Sequence, residues 1–408
     1  MLISPYTQHD ETSRRYGGWR VVGVCFAMAV FGWGFGFYGH AVFLAELQRQ
    51  HGWSTSLIAG ATTVNYLCGA FLVAFVSDMM RRLGPRRMVL CGIAAMGAPI
   101  LALPMIQSPW QLYLAYLVMS GGWAALGLGA ITNILGLWFS KKRGLAISLA
   151  LNGASCGGIL ISPALVYLTA WKGFGVATTI AVLAMVVILV PLVLAWLSAG
   201  PGAPVMTPQP DAAKPSGEWT KGRAMRSAAF WSVAAPFALA IASQVGFLVH
   251  QIAFLERSMD RRVAGLVVAV TTTMAVVGRV TVGLFIDRWD QRIAAAVSMA
   301  SQALVVAIMA QTHDIPTLFV CCAVYGLSVG NLITYPALIV QREFAPAAFG
   351  MLVALTTAIA QFASGFAPAL LGWVKDATGD YGSALFVCVA LNAAAAVIIL
   401  LRPRKAAH

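Results

Sequence analysis

Charged residues are scarce in this sequence. Of its 408 residues, only 10% are charged and 60% are hydrophobic, whereas soluble domains carry roughly 25% charged residues. The apolar residues come in repeated windows, each long enough to cross a hydrocarbon layer of about 30 Å as a helix. The composition therefore excludes an ordinary soluble domain and indicates an integral membrane protein.

Several other signals are missing. The polar segment before Trp19 lacks the apolar core and cleavage site of a signal peptide, so we expect the first window to remain a span. The seven cysteines fall inside apolar windows, not in the polar loops of a disulfide framework or at the spacing of a zinc site. A nucleotide-binding Gly-x-x-x-x-Gly-Lys loop and a catalytic Ser-His-Asp set are also absent from the sequence. We expect neither an enzyme nor an ATP-driven pump, and no cofactor or metal.

About twelve apolar windows follow one another along the chain. They lie at residues 19–47, 54–78, 87–106, 111–138, 144–169, 173–197, 229–256, 263–286, 293–311, 316–340, 349–373 and 381–401. The longest polar interval contains five prolines and separates six windows from six, as a linker between halves does. The prediction is an all-α membrane protein with an N-terminal tail at 1–18, six-helix bundles at 19–197 and 229–401, a linker at 198–228 and a tail at 402–408.

The net charge of +13 is explained by where the basic residues lie. If the N-terminus is inside, twenty of the 27 Lys and Arg residues fall on the inner side and six on the outer side, and Arg279 alone lies within a span. This distribution predicts a multi-pass protein of the cell membrane with both termini in the cytoplasm. No basic patch with interleaved aromatics points to nucleic acid. The expected partners are membrane lipid, a small solute and protons, and we expect a monomer.

The two halves can be aligned with each other. Residues 39–46 match residues 249–256, with His40 on His250 and Glu46 on Glu256. Residues 143–163 similarly match 349–368, and the end of the eighth window echoes the end of the second. Such repeats predict two pseudo-symmetric bundles with a substrate site near the midplane between them.

With these features, the chain resembles the major facilitator superfamily over nearly its full length. The segment 82–87, Arg-Leu-Gly-Pro-Arg-Arg, resembles that superfamily's Gly-x-x-x-Asp-Arg-x-Gly-Arg-Arg loop, although Ser77 and Arg81 replace its Gly and Asp. The second half carries an intact copy of the Gly-x-x-x-Asp-Arg part at residues 283–288. The resemblance implies a cytoplasmic gate whose residues are Asp78, Arg82, Arg86, Asp287 and Arg288.

Within the superfamily, the chain is most similar to the monocarboxylate and oxalate-formate branch. The resemblance rests on Gly-Gly-Trp at 17–19, on the aromatic, basic and Leu-Ala segment 138–146 with the glycines that follow, and on Gly278-Arg279. It implies that Arg279 binds substrate. Three positions differ from the pattern of this branch. Animal monocarboxylate transporters have an Asp one turn before the Arg, where this chain has Ala275, and a first-span Lys that aligns near Tyr38. Oxalate exchangers carry a Lys in the eleventh span, where this chain has Gln361.

Arg279 is the strongest candidate on chemical grounds as well. It lies about 12 Å from the end of its predicted helix, near the bilayer centre. A guanidinium there costs at least about 2.5 to 3.5 kcal/mol and stays charged, so it must face water, a partner or an anion. None of the fourteen acidic residues is at mid-depth in a span. Carboxylate binding is favoured over the alternative, in which Arg279 bonds backbone carbonyls or amides for packing.

His40 and His250 are the candidates for proton coupling. Each lies six residues before a Glu, and imidazole titrates near neutral pH. The alternative is that both form interhelical hydrogen bonds without carrying protons. Glu46 and Glu256 are second candidates. Polar and aromatic residues on the remaining cavity-type spans complete the predicted substrate site, which comprises Arg279, Tyr38, His40, His250, Asn331, Tyr335, Trp123 and Gln361.

Four functions remain open at this stage. Proton-coupled symport of a small, monocarboxylate-like organic anion by alternating access is favoured. Exchange of one organic anion for another needs Arg279 but no titrating group. Efflux of amphipathic drugs is disfavoured because the fifth window lacks the Gly-x-x-x-Gly-Pro-x-x-Gly-Gly run of drug antiporters. A ligand-binding membrane receptor is disfavoured because the tails and linker offer no signalling domain.

Overall fold

The computed structural model describes residues 11, 13, 16–73, 75–139, 142–197, 220–285, 289–344 and 348–401. Every regular element in these ranges is a helix. Eleven of the described helices are long and apolar enough to cross a membrane, and a shorter apolar helix, Ile315–Val329, forms part of a twelfth crossing. The predicted all-α membrane fold is thereby confirmed.

The first half contains six spans in chain order. They are α1 (Gly18–His51), α2 (Thr55–Val73), α3 (Val76–Ala102), α4 (Pro109–Trp138), α5 (Arg143–Lys172) and α6 (Phe174–Trp196). The second predicted window ran to residue 78, but Asp78 lies in the first turn of α3. The first two turns of α3 are set off by a kink at Gly84, whose φ of +77° is a conformation that glycine adopts readily, and Pro85 follows it.

The second half repeats the arrangement. Its spans are α7 (Ala228–Leu255), α8 (Arg261–Phe285), α9 (Gln291–Gln311), α10 (Ile315–Val329, resuming as Tyr335–Glu343), α11 (Phe349–Thr378) and α12 (Tyr381–Leu400). Before α7, part of the predicted linker forms a short helix, Lys221–Met225, and its Ala224 is buried in the core of this half. Residues 198–219 of that linker lie outside the described ranges.

Three spans depart from regular α-helix near the middle of the fold. In α4, the extended residue Gly127 separates a helix that ends at Leu126 from one that begins at Leu128. In α1, residues Gly34–Tyr38 form a π-helical turn, a feature frequent at functional sites. In α10, the helix stops at Val329 and resumes at Tyr335 after five residues in turns. Pro336 lies in the first turn of the second segment, where its missing N–H leaves no intrahelical hydrogen bond unmade.

The beginning of α1 and the ends of α6 and α12 lie on one side of the bundle, toward which the linker connects. The Arg20 guanidinium at the start of α1 lies 4.4 Å from the ring centroid of Trp196 at the end of α6. Arg292 at the start of α9 donates to the carbonyl of Ile399 at the end of α12, at 2.8 Å. We call this side the linker face and the other side the opposite face.

The two halves are packed together toward the opposite face. In one seam, α2 lies against α11, where the Thr63 hydroxyl accepts from the Ala369 amide at 3.3 Å. In the other, α5 lies against α8, and a Cβ added at Gly158 would be only 2.6 Å from Cγ2 of Thr272. Absent side chains therefore permit close contact between the halves on this side.

Hydrogen bonds and ion pairs hold the seams at the opposite face. The Asp376 carboxylate of α11 accepts from the amides of Thr55 and Ser56 at the start of α2, at 3.1 and 2.6 Å. Arg261 at the start of α8 pairs with Glu46 of α1, whose side chain is fully buried, and also with Glu256 at 2.5 Å. We call the Glu46, Arg261 and Glu256 cluster the outer latch. One guanidinium thus joins carboxylates from both halves.

The exposure of α1 and α7 shows that the space between the halves opens on the linker face. These are the most buried of the described spans, at 67% and 83%. From residue 38 to residue 47 every residue of α1 is buried, as is every residue of α7 from 242 to 252. Closer to the linker face, α1 has a stripe of at least partly exposed residues at helical spacing, Gly23, Phe26, Val30, Trp33 and Phe37. A central helix with one such stripe lines a cavity, and this cavity ends at Phe37.

Glycines bring α8 and α10 into backbone contact beside the cavity. A Cβ at Gly278 would overlap the backbone of Leu327, and a Cβ at Gly330 would lie 2.5 Å from the Ala275 carbonyl oxygen. The two helices are therefore closer than side chains at these positions would allow. This contact fixes the depth and orientation of the residue after Gly278, which is Arg279.

We predict that Gly278→Ala forces α8 and α10 apart and destabilises the protein by about 1 to 3 kcal/mol, the usual cost of overpacking. Thermal unfolding of the purified protein measures this as a lower midpoint. Gly23→Ala is the matched control, because a Cβ there would meet nothing within 4 Å. An unchanged midpoint in Gly278→Ala would show that the contact is not tight.

Candidate functional site

Arg279 lies in α8 next to the interruption of α10. Its Nε donates to the carbonyl of Gly330 at 3.4 Å, and the residue is only partly buried. A Cβ at residue 330 would lie 3.2 Å from this Nε, so glycine makes room for the arginine. Within the described part of the chain, no carboxylate lies within ion-pair distance of Arg279. This hydrogen bond uses one of the five N–H donors of the Arg279 guanidinium. The other four remain available to bind an anion.

Tyr38 approaches Arg279 from the other half. It closes the π-helical turn of α1, lies within electrostatic range of the guanidinium, and packs with the core residues of the second half. The residues proposed for a site between the halves therefore come from α1 on one side and from α8 with α10 on the other.

Aromatic rings form the wall of the first half at the closed end of the cavity. The ring centroids of Trp33 and Trp123 are 5.1 Å apart, and those of Phe37 and Tyr38 are 5.0 Å apart. Tyr66 connects the two pairs, with centroids 6.2 Å from Trp123 and 6.3 Å from Phe37. We call Trp33, Phe37, Tyr38, Tyr66 and Trp123 the aromatic wall. Sequence reasoning selected Tyr38 and Trp123 but missed the two rings on the exposed stripe of α1.

His40 lies behind this wall. Its ring is fully buried, lies 5.4 Å from the Tyr66 ring, stacks on Tyr116 at 5.2 Å, and bonds Asn65 at 3.2 Å. The Asn65 Oδ1 and the Tyr66 hydroxyl beside it are buried without a hydrogen-bond partner. His40 is therefore one layer from the cavity, in a group of buried polar atoms that are not fully bonded.

His250 has different surroundings. It is fully buried between α7, α11 and α12, with Nε2 2.9 Å from the Pro368 carbonyl and the Tyr381 ring at 5.8 Å. His40 instead faces α2 and α4. The residue that faces the corresponding helices α8 and α10 is Gln251, which donates to Thr271 at 3.0 Å and to Cys322 at 3.7 Å. The repeat thus pairs the two histidines in sequence but not in environment.

The other predicted binding residues are dispersed. Asn331 is buried and donates to the Leu327 carbonyl at 2.9 Å. It follows Gly330, whose carbonyl meets Arg279. Tyr335 is buried in the core of the second half, with its hydroxyl 3.2 Å from that of Ser298. Gln361 of α11 is exposed. The structure therefore places Tyr38 near Arg279 and, through Phe37 and Tyr66, in the ring cluster of Trp123, and Asn331 follows the Gly330 whose carbonyl meets Arg279.

The predicted gate is on the linker face. Asp78 is partly buried in the first turn of α3, whereas Arg82 and Arg86 on either side of the Gly84 kink are exposed. Asp287 and Arg288 lie outside the described residues. The arrangement of this gate therefore stays a prediction.

Comparison with known proteins identifies the family. The sequence profile of the Major Facilitator Superfamily matches residues 24–256 and 227–408. The chain belongs to this superfamily. It is similar to monocarboxylate transporter 11 of Mus musculus, with 26% identity over 361 residues that cover 80% of this chain and 74% of that protein. Superfamily members are transporters and not enzymes, in agreement with the expectation from the motifs.

Two other relatives match over shorter stretches. The uncharacterized transporter ESBP6 of Saccharomyces cerevisiae is 35% identical over 105 residues, covering 26% of this chain and 15% of that protein. Monocarboxylate transporter 3 of Mus musculus is 30% identical over 146 residues, covering 36% and 30%. The matched segments thus span less than a third of these two relatives. Among solved structures, the D323A mutant of the nucleoside transporter NupG has a TM-score of 0.73 at 14% identity, over 93% of this chain and 98% of that one, which shows a shared fold.

The outer latch of this superfamily member contains a carboxyl group whose pKa is raised by burial. Burial raises the pKa of Glu256 to about 7, against the opposing effect of the Arg49 guanidinium. Glu256 follows α7 and lies outside the span. Ionised Glu256 competes with Glu46 for Arg261, so protonation of Glu256 leaves the guanidinium to the carboxylate of the other half.

We predict that acid favours closure of the opposite face. In the separated state Glu256 is hydrated and its pKa is near the ordinary value of about 4.5, so the closed latch binds the proton more tightly. Closure is therefore stabilised as pH falls from about 7 toward 5, and this contribution is lost above pH 7. Spin labels at positions 50 and 377, in a background without reactive cysteines, measure the distance between the halves. Glu256→Gln should remove the pH dependence and Asp380→Asn should keep it; a pH-dependent distance in Glu256→Gln would contradict the assignment.

Proposed function

We propose that this protein is a secondary active transporter that moves a small organic anion by alternating access, with Arg279 binding the carboxylate. The observation that carries the proposal is Arg279, which is only partly buried and has no carboxylate partner among the described residues. A fixed positive charge inside a membrane protein is costly unless it serves a ligand or pathway. The similarity to proteins named monocarboxylate transporters supports the same substrate class.

The geometry fits a site that both halves complete. The C-terminal half contributes Arg279 beside the interrupted helix α10, and the N-terminal half contributes Tyr38 and the aromatic wall. Transporter sites commonly lie near the midplane, at interrupted helices between repeats. The seams that are closed at the opposite face would separate when the linker face closes, and the anion would then be exposed on the other side.

Arg279→Ala should weaken anion binding by about 10- to 100-fold, because a charge-assisted hydrogen bond contributes about 1.5 to 3 kcal/mol. Arg279→Lys should recover only part of the affinity, since lysine keeps the charge but not the planar fork. Isothermal titration of the purified protein with organic acids measures this, and the melting temperature reports on folding. Arg262→Ala on the opposite face is the control. Unchanged affinity in a folded Arg279→Ala variant would refute the central role of this residue.

For coupling, we propose proton symport with His40 as the titrating group. His40 lies one layer behind the aromatic wall and bonds the Asn65 side chain, whereas His250 bonds a helix carbonyl away from that wall. A proton on an imidazole could offset the charge of the anion. His250 would then have a packing role.

Anion exchange is the second candidate, and one observation favours it. Among the described residues, no acidic or imidazole group contacts Arg279, so the empty site keeps its positive charge and would return more readily with another anion bound.

Transport by reconstituted liposomes separates the two modes. Under symport, an alkaline interior should drive accumulation of the anion, and His40→Gln should abolish this drive while leaving affinity within a few-fold. His250→Gln is the matched control and should keep the drive. Uptake that ignores the pH gradient but accelerates with anion inside the liposome would establish exchange and exclude His40 as a coupling group.

A further inference from the structure

The aromatic wall leaves apolar surface uncovered at the end of the cavity. Trp33, Phe37 and Trp123 are only partly buried, although α1 is among the most buried spans. Trp33 and Phe37 pack against core residues of both halves, so they lie in the space between the halves and not on the lipid surface. Apolar surface in contact with water is unfavourable in proportion to its area. A ligand that covers these rings would therefore gain free energy.

The wall is rigid before any ligand binds. A Cβ added at Gly36 or at Gly69 would lie 2.7 Å from the Trp123 ring, so this indole is held between two helix backbones. The Trp33 ring meets it at an interplanar angle of 62°, and Phe37 meets Tyr38 at 86°. Edge-to-face contacts are an arrangement that aromatic groups prefer, and a further ring could extend it on the partly exposed Trp33, Phe37 and Trp123. A preorganised surface of this kind loses little entropy on binding.

The charges limit what such a ligand can be. Arg279 is the only Lys or Arg residue in the interior of a predicted span, away from its ends, so we expect the cavity to bind one carboxylate and not two. The wall residues contribute hydroxyls only from Tyr38 and Tyr66, and the remaining lining rings are hydrocarbon or indole. An acid of two or three carbons bound to Arg279 would leave most of the wall in water, whereas a planar apolar body would cover it.

We propose that the preferred substrate is an aryl monocarboxylate, with its carboxylate on Arg279 and its ring against Trp33 and Trp123. This inference rests on the proposed function, because it presumes that Arg279 binds the anion. It adds a distinction between planar aromatic acids and aliphatic acids of the same size and charge.

Three acids test the inference by isothermal titration of the full-length protein. Phenylacetate should bind at least about tenfold more tightly than acetate, because it covers the wall. It should bind about two- to tenfold more tightly than cyclohexylacetate, which is similar in size and charge but cannot stack. Trp33→Leu and Trp123→Leu should bring phenylacetate and cyclohexylacetate to similar affinities. Trp110→Leu, which changes an indole that is 65% exposed in an outward-lying groove of α3 and α4, should leave the preference intact.

The outcomes distinguish this inference from the proposed function. Equal binding of the three acids, all lost in Arg279→Ala, would overturn the aryl preference and keep the anion transporter. Tighter binding of cyclohexylacetate than phenylacetate would show that size and not planarity is recognised, and would also overturn it. If none of the acids binds to protein with an unchanged melting temperature, both the proposed function and the aryl preference are wrong. Retention of the preference in both folded Trp→Leu variants would exclude the wall as its source.

Discussion

A guanidinium that cannot lose its charge is the constraint around which this structure is arranged. Arg279 lies within a membrane span, where an isolated charge is unfavourable. The fold tolerates it because α8 and α10 touch through Gly278 and Gly330, because α10 is interrupted so that a carbonyl can meet Nε, and because Arg279 is only partly buried. In a helix pair with no other role, an interrupted helix and glycines within a helix would only lower stability. Together they make room for a charge that has no fixed counterion among the described residues.

Much of the fold follows from the sequence. Apolar length alone predicts the spans, and the isolated position of Arg279 among hydrophobic residues marks it as a functional candidate. The lining of the cavity was less predictable. Helical spacing relates Trp33 to Phe37, but it does not say whether their shared face meets lipid, a neighbouring helix or water. That depends on which helices surround α1, and such contacts join residues far apart in sequence.

The histidine pair shows a second limit of sequence reasoning. A constant offset aligns His40 with His250, yet the contacts place Gln251 where His40 would be expected in the second half. His40 contacts Asn65 and Tyr116, and Gln251 contacts Thr271 and Cys322. Asn65 and Thr271 are as many positions apart in the sequence as Tyr116 and Cys322. The two pairs of partners therefore correspond in the repeat, although His40 and Gln251 differ. A helix presents neighbouring positions about 100° apart, and a shift of one residue changes the face that a side chain occupies. Identity of residue type in a repeat therefore does not establish identity of role.

The carboxylate of Asp376 has a consequence for the motion between the halves. It belongs to α11, but it satisfies the first amides of α2, while Ser54 serves the amide of Leu57. One half of the protein thus completes a helix end of the other half. When the seam separates, the amides of Thr55 and Ser56 must turn to water, and the beginning of α2 becomes prone to fraying. Opening of the opposite face is in this sense a small unfolding event, and the stability of a single helical turn contributes to how often it occurs.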